Sequence, residues 1–182
     1  MRYLFALALT LFISPAQAAH WTVDRAHSKL GFTVSWAKQP YTASFQNWKA
    51  DIDFDPVNLA ASKADVTIAI ASETSGDDDT DSDVKGGIGF DAAKFPTAHF
   101  VTTGFTHKSG NDYAAQGTLT LKGVSKPVTL PFTLTIDGKK AHMVGSTMVM
   151  RNQFGVGSGE WAVPDTVAWD VKVNIDIAAM QN

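Results

Sequence analysis

The residues able to do chemistry in this chain are few and scattered. The densest group is the acidic run Asp77-Asp78-Asp79-Thr80-Asp81-Ser82-Asp83, which invites a calcium-loop reading. Counted from Asp77, carboxylates fall at the first, third, fifth and seventh loop positions. The sixth, however, is Ser82 where the sharp turn needs glycine, and the twelfth is Ile88 where a bidentate glutamate belongs. Counted from Asp79, the same two places hold Val84 and Phe90. A solvated loop is the expected role, with weak cation binding left open. Ser35-Trp36-Ala37-Lys38 has Ser-x-x-Lys spacing, and Lys108-Ser109-Gly110 looks like its companion element. That chemistry needs serine and lysine on one helical turn and a Ser-Asp-Asn element besides. Here Ser35 and Lys38 end a strand-like run, and no Ser-Asp-Asn occurs. His20, His27, His99, His107 and His142 show no metal spacing on a helix; His99 and His107 can meet across a sheet, but nothing fixes a third ligand. Gly155 to Gly159 is no dinucleotide loop, because no βαβ unit surrounds it. A binding protein, with no catalytic residue and no metal, is expected rather than an enzyme.

The elements that must position these residues are strands. Leu30, Phe32, Val34 and Trp36 alternate with Gly31, Thr33 and Ser35, and Val66, Ile68 and Ile70 repeat the pattern. So do Tyr113 to Leu121, Val128 to Ile136 and Val167 to Ile177, several of them about ten residues long. Gly110-Asn111, Gly123, Asp137-Gly138 and Gly155 to Gly159 supply the turns, with Asp137-Gly138 a strong hairpin signal. Two short helices are expected, one over Pro56 to Ala61 with Asp55 as N-cap, the other between Asp81 and Gly86. No repeat, linker or second domain is visible. The fold class is therefore all-β: about eight long antiparallel strands closed on themselves as a barrel, with one or two short helices. In the stretch Thr42 to Asp55, strict alternation puts Phe45 on one face and Trp48, Ile52 and Phe54 on the other. His27 beside Ser28 is expected to hydrogen-bond the barrel end. Eleven Phe, five Trp and five Met are many large apolar side chains for a small barrel. Composition alone leaves an internal cavity and a packed sandwich both open.

Residues 1–18 read as an export signal: Arg2, the apolar run Leu4 to Ile13, then Ala16-Gln17-Ala18 as a small-x-small cleavage site. The run is too short to span a membrane. The mature chain, residues 19–182, is one domain in size and is expected in the periplasm. The net charge is −3, and removal of Arg2 leaves the mature chain one unit more acidic. Nucleic acid is thus not an expected partner. The absence of cysteine excludes disulfides, a lipobox, covalent c-type haem and thiolate metal sites.

Several motifs occur in an order that resembles the YceI-like family. They are Trp21-Thr22-Val23-Asp24 with His27-Ser28 and Leu30-Gly31-Phe32, then Phe54-Asp55-Pro56, then Phe90-Asp91 with Phe95-Pro96-Thr97-Ala98 and Phe100. Gly117-Thr118-Leu119-Thr120-Leu121-Lys122-Gly123-Val124-Ser125-Lys126-Pro127-Val128 follows, and Arg151 with Phe154-Gly155-Val156-Gly157 closes the set. The resemblance implies an extended lipocalin-like antiparallel barrel, exported to the periplasm, that holds a polyisoprenoid or similar long-chain amphiphile in an apolar tunnel. The stretch from Gly145 to Trp161 looks like the branch often encoded beside membrane b-type cytochromes. The resemblance therefore also admits a quinone as the ligand and an accessory role beside such a cytochrome; a homodimer is left open. No cofactor beyond the bound lipid is expected. The chain departs from the family pattern at three places. Thr80-Asp81 stands for Arg-Asp, Gly89 replaces an aromatic before Phe90, and Gln153 replaces an Asp before Phe-Gly.

The residues expected to line the tunnel are Phe32, Val34, Trp36, Phe90, Phe95, Phe132, Ile136, Met143 and Met148, chosen for apolar bulk on strands or their cover. Arg151 is the candidate polar contact, with a salt bridge pinning the glycine-rich turn as its alternative role. Arg25 and Arg151 are the only mature arginines, so a neutral head group is as compatible with the sequence as a diphosphate.

Overall fold

The computed structural model describes residues 18–182; the export signal lies almost wholly outside them. Eleven strands follow one another: β1 (Ala19–Val23), β2 (Lys29–Trp36), β3 (Gln39–Phe45), β4 (Trp48–Phe54), β5 (Lys63–Ala69), β6 (Glu73–Thr74), β7 (Thr97–Ser109), β8 (Asp112–Leu121), β9 (Val124–Asp137), β10 (Lys140–Met150) and β11 (Val167–Gln181). Their pairings are all antiparallel and close into a ring. β11 pairs along one edge with both β1 (Val23 opposite Ala179) and β2 (Lys29 opposite Asp176). β4 lies beside β1 while β3 lies beside β2; β5 and β6 then flank β4 and β3. The wall is therefore an eight-strand up-and-down barrel in which the first three strands are each broken once near mid-height. This is the expected fold class. At about 3.4 Å per residue and a tilt near 40°, the fourteen residues of β9 span a wall roughly 35 Å high.

The breaks change which side chains face inward. Between β3 and β4, Gln46 N–H donates to Ser72 O, and Asn47 N–H donates to Ser72 Oγ, both at 2.9 Å, in place of the ladder. This adds one residue to the alternation, so Phe45 and Trp48 both point inward, with Ile52 and Phe54. The expectation that Phe45 and Trp48 lie on opposite faces is corrected accordingly.

The first break, Asp24 to Ser28, also relocates the His-Ser pair. Asp24 caps a 3-10 turn over Arg25–His27 and accepts from His27 Nδ1 at 2.8 Å; His27 is exposed at mid-wall rather than at the barrel end. Ser28 Oγ donates to Asp24 O at 2.6 Å and accepts from Ala178 N–H at 3.0 Å, which ties the break to β11. Ser28→Ala leaves that strand N–H without its acceptor and is expected to cost about 1–2 kcal/mol. Urea unfolding should show a lower midpoint at unchanged slope.

One α-helix forms, α1 (Asp78–Lys85), earlier and longer than expected. Asp77 is its N-cap and accepts from Thr80 N–H at 3.0 Å, while Asp78, Asp79 and Asp81 sit in its first turn, where the helix dipole favours negative charge. The acidic run is thus a helix start rather than a loop. The Pro56 to Ala61 helix is not formed: Asp55 Oδ1 accepts from Val57 N–H at 2.9 Å, and only a 3-10 turn over Leu59–Ala61 follows. No helix among the described residues is long and apolar enough to cross a membrane.

Candidate functional site

The interior of the barrel holds a cavity of about 290 Å³ whose wall runs from Trp36 and Trp161 at the upper end to Trp21 and Ile136 at the lower. The lower end is packed by Trp21, Phe54, Tyr113 and Phe132, with Phe105 against them. The upper end is covered by α1, the segment 86–96 and the segment 151–166. These pieces are bonded to one another, since Gly157 and Ser158 N–H both donate to Ile88 O at 2.9 Å. Lys122 Nζ, from the β8–β9 turn, donates to Gly89 O at 2.8 Å. Inward-facing residues of intermediate exposure, such as Ala50, Val66, Phe100 and Val173, mark where the wall borders empty space rather than a neighbour.

The wall is apolar almost throughout, and its polar groups are already occupied. Thr102 Oγ1 accepts from Ala64 N–H at 2.7 Å, Thr147 Oγ1 donates to Thr129 O at 2.8 Å, and Trp21 Nε1 donates to Phe54 O at 3.0 Å. Arg151 is the one formally charged side chain on this wall. It is 5% exposed, and its guanidinium donates from Nε to Ala168 O, from Nη1 to Val156 O, and from Nη2 to Trp161 O and Val167 O. Four of its five N–H groups therefore go to backbone carbonyls of the upper cover, with no carboxylate among their partners. Burial pulls its pKa below the ordinary arginine value. Gly157 makes room for it: φ is +86°, and a Cβ there would lie on Nη1. Arg25 is also engaged, donating to Gln46 O at 2.9 Å and lying 3.7 Å above the Trp48 ring on the outside of a strand break.

Of the residues expected to line the tunnel, Phe32, Val34, Trp36, Phe90, Phe132, Ile136, Met143 and Arg151 lie on the cavity wall. Ile136 is 37% exposed, where the wall meets solvent at the β9–β10 hairpin. Met148 points outward and is 54% exposed: it is five residues from Met143, an odd step, which on one strand means the opposite face. Phe95 is not on the wall either. It packs over the β8–β9 turn, where a Cβ on Gly123 would approach its ring to 3.0 Å, with Lys94 Nζ 5.3 Å from the ring. Gly89 has no room for the aromatic that the family pattern places there, because a Cβ would lie 2.1 Å from Val84 O. Phe90 N–H folds back onto the same carbonyl at 2.8 Å.

A buried acidic group at the upper end gave no sequence signal beyond a lone glutamate in a two-residue strand. Glu73 is 1% exposed; its register partner is Phe45, which faces the cavity, so Glu73 also points into the barrel. Tyr41 Oη donates to Glu73 Oε1 at 2.8 Å and lies 3.4 Å from Asp81 Oδ1. Glu73 Oε2 has no partner. An unsatisfied buried polar atom costs about 1–3 kcal/mol. Burial, and then the nearby Asp81 charge, push the Glu73 carboxyl up to about 7 against the hydrogen bond from Tyr41. Burial also raises the Tyr41 phenol. For Asp81 burial opposes the charge too, but Ser75 Oγ and N–H at 2.6 and 2.8 Å, with Thr74, hold its pKa below the ordinary range. The two carboxyls thus differ near neutrality, Asp81 ionised and Glu73 half protonated.

This has a consequence for stability. The folded protein keeps a proton on Glu73 that the unfolded chain releases above its ordinary value of 4.5. Stability is therefore fully present below that pH, falls as pH rises, and levels off past about 7. The full change is about 3 kcal/mol by the usual conversion of pKa units. Glu73→Gln should remove this component, measured as the difference between the pH profiles of wild type and variant.

On the outer face, His20 Nδ1 lies 2.9 Å from Asp53 Oδ1 and 3.5 Å from Asp51 Oδ1, a trio with metal-ligand chemistry that alternation along β4 places on one side. Lys63 Nζ already sits 3.3 Å from Asp53 Oδ2. The trio is separated from the cavity by the barrel wall.

A sequence model of the YceI-like domain matches residues 21–179. A UPF0312 protein of Vibrio vulnificus is 30% identical over 150 residues, covering 78% of this chain and 79% of the relative. One of Photorhabdus laumondii is 34% identical over 139 residues, covering 75% and 72%. Among solved structures, Burkholderia cenocepacia BcnA superposes with a TM-score of 0.84 at 33% identity, over 87% of this chain and all of that one. A polyisoprenoid-binding domain from Saccharophagus degradans has a TM-score of 0.71 at 14% identity, covering 90% of this chain and 99% of that one, a likeness of fold.

Proposed function

We propose, from the premise that this chain belongs to the YceI-like family, that it is a carrier which encloses a polyisoprenoid or similar long-chain lipid in its barrel and travels in the periplasm. One observation carries the reading: an elongated internal cavity whose wall is apolar and whose few polar groups are already bonded to backbone. Such a space favours a hydrocarbon tail. Each buried CH₂ contributes roughly 0.8 kcal/mol, so about ten of them supply roughly 8 kcal/mol before the cost of association. An isoprenoid-tailed quinone is a guest of this kind. The barrel of the Saccharophagus degradans domain serves polyisoprenoid binding in that protein. Location in the periplasm is supported by the export signal read in residues 1–18.

The test is to purify the mature protein from periplasm, record its native mass and extract the guest. A long-chain lipid recovered in stoichiometric amount is the expected result. Repeated preparations free of amphiphile, together with no binding of an added polyprenyl probe, would overturn the carrier reading. Recovery of the protein only from cytoplasm with residues 1–18 intact would overturn the location.

A further inference from the structure

We propose that Glu73 is the polar anchor for the guest's end group, and that this group is an uncharged oxygen acceptor such as a ketone, ester or quinone carbonyl rather than a phosphate or carboxylate. The proposal rests on the lipid-carrier reading and specifies the end group that cavity accepts.

Three observations support it. First, Glu73 faces into the barrel from β6, opposite Phe45 of the cavity wall, and is shut off from solvent beneath α1. Second, its Oε2 has no hydrogen-bond partner, although Oε1 is held in place by Tyr41, itself a wall residue. A carboxyl fixed through one oxygen and left unpaired at the other, inside a barrel with unfilled space, is ready to bond a guest atom. Third, the charges around it select that atom's chemistry. The ionisable groups facing Glu73 are Tyr41 from β3 and Asp81 and Lys85 from α1. Lys85 Nζ donates to the Glu73 main-chain oxygen at 3.1 Å, and Asp81 is held ionised by Ser75. Arg151, the only cation on the wall, has given four of its donors to carbonyls. An anionic end group would thus enter beside two carboxyls without a free cation to meet it. In its neutral form Glu73 carries one O–H, on Oε2, since Oε1 is accepting from Tyr41. That O–H donates to a carbonyl oxygen; the ionised form has no proton to give.

The test compares three probes with one tail, a long-chain methyl ketone, the matching alkane and the matching alkyl phosphate, each displacing a fluorescent apolar dye from the mature protein. The wild type should bind the ketone at least tenfold more tightly than the phosphate and more tightly than the alkane. Its affinity for the ketone should fall about tenfold from near pH 6 to near pH 8, following the acid form, while the alkane shows no such change. Glu73→Gln keeps a donor and should bind the ketone with no pH dependence. Glu73→Leu, which removes a buried unpaired carboxyl, should fold and bind ketone and alkane alike. Retained ketone preference in Glu73→Leu, or tighter binding of the phosphate by the wild type, overturns the anchor. Failure of all three probes to displace the dye overturns the carrier reading beneath it, so the two failures are distinguishable.

Discussion

Arg151→Met lowers stability by about 4–6 kcal/mol, a large share of the roughly 5–15 kcal/mol that holds a domain of this size together. The substitution keeps the apolar stem but removes the donors, leaving the carbonyls of Val156, Trp161, Val167 and Ala168 buried with nothing to bond. Each such group costs about 1–3 kcal/mol, and the four losses are not additive because the cover relaxes as one piece. Arg151→Lys does not rescue, since an ammonium has three donors at one point where the guanidinium reaches carbonyls on several sides. Gly157→Ala produces the same defect from the other partner. A methyl there collides with Nη1, at a backbone angle that alanine resists. Urea unfolding of the three variants checks the set. A loss below about 1 kcal/mol for Arg151→Met would show that water replaces the guanidinium and that the cover is not pinned by it.

Ala50→Trp abolishes guest binding while leaving the fold intact. Ala50 faces the void from the middle of β4, opposite Val66 of β5, and both are only partly buried because empty space lies in front of them. An indole placed there fills the tunnel with the protein's own hydrocarbon. Affinity for a long-chain probe should drop at least about a hundredfold, the equivalent of about 3 kcal/mol. Thermal stability should hold or rise, since the new ring buries apolar area otherwise left beside a void. Undiminished probe affinity in a folded Ala50→Trp would place the guest outside the barrel.

The barrel was legible because its evidence in sequence is local. Alternation over long runs and the turn at Asp137-Gly138 need only neighbouring residues to be read, and β9, β10 and β11 follow them. What was lost is what alternation cannot carry across an interruption. Nothing local signals that Gln46-Asn47 adds a residue, yet that addition decides that Phe45 and Trp48 share a face. Met143 and Met148 were grouped by bulk, whereas their odd separation on one strand sends Met148 outward. Phe95 carries a family motif but packs on the β8–β9 turn, a contact between segments about thirty residues apart. The Glu73, Tyr41 and Asp81 group comes from three elements, and only closure of the barrel with α1 upon it brings them together.

The three broken strands also bear on how errors spread. In an unbroken strand, a slip of one residue turns every side chain along its whole length to the wrong face. Here each of the first three strands restarts at mid-height, anchored by its own bonds, such as those of Ser28 and Ser72. A misalignment in the lower storey stops at the fracture, leaving the upper storey's inward row, and the chamber it bounds, in register. The breaks work as firebreaks, so insertions and deletions accepted near one end of this wall need not be repaired at the other.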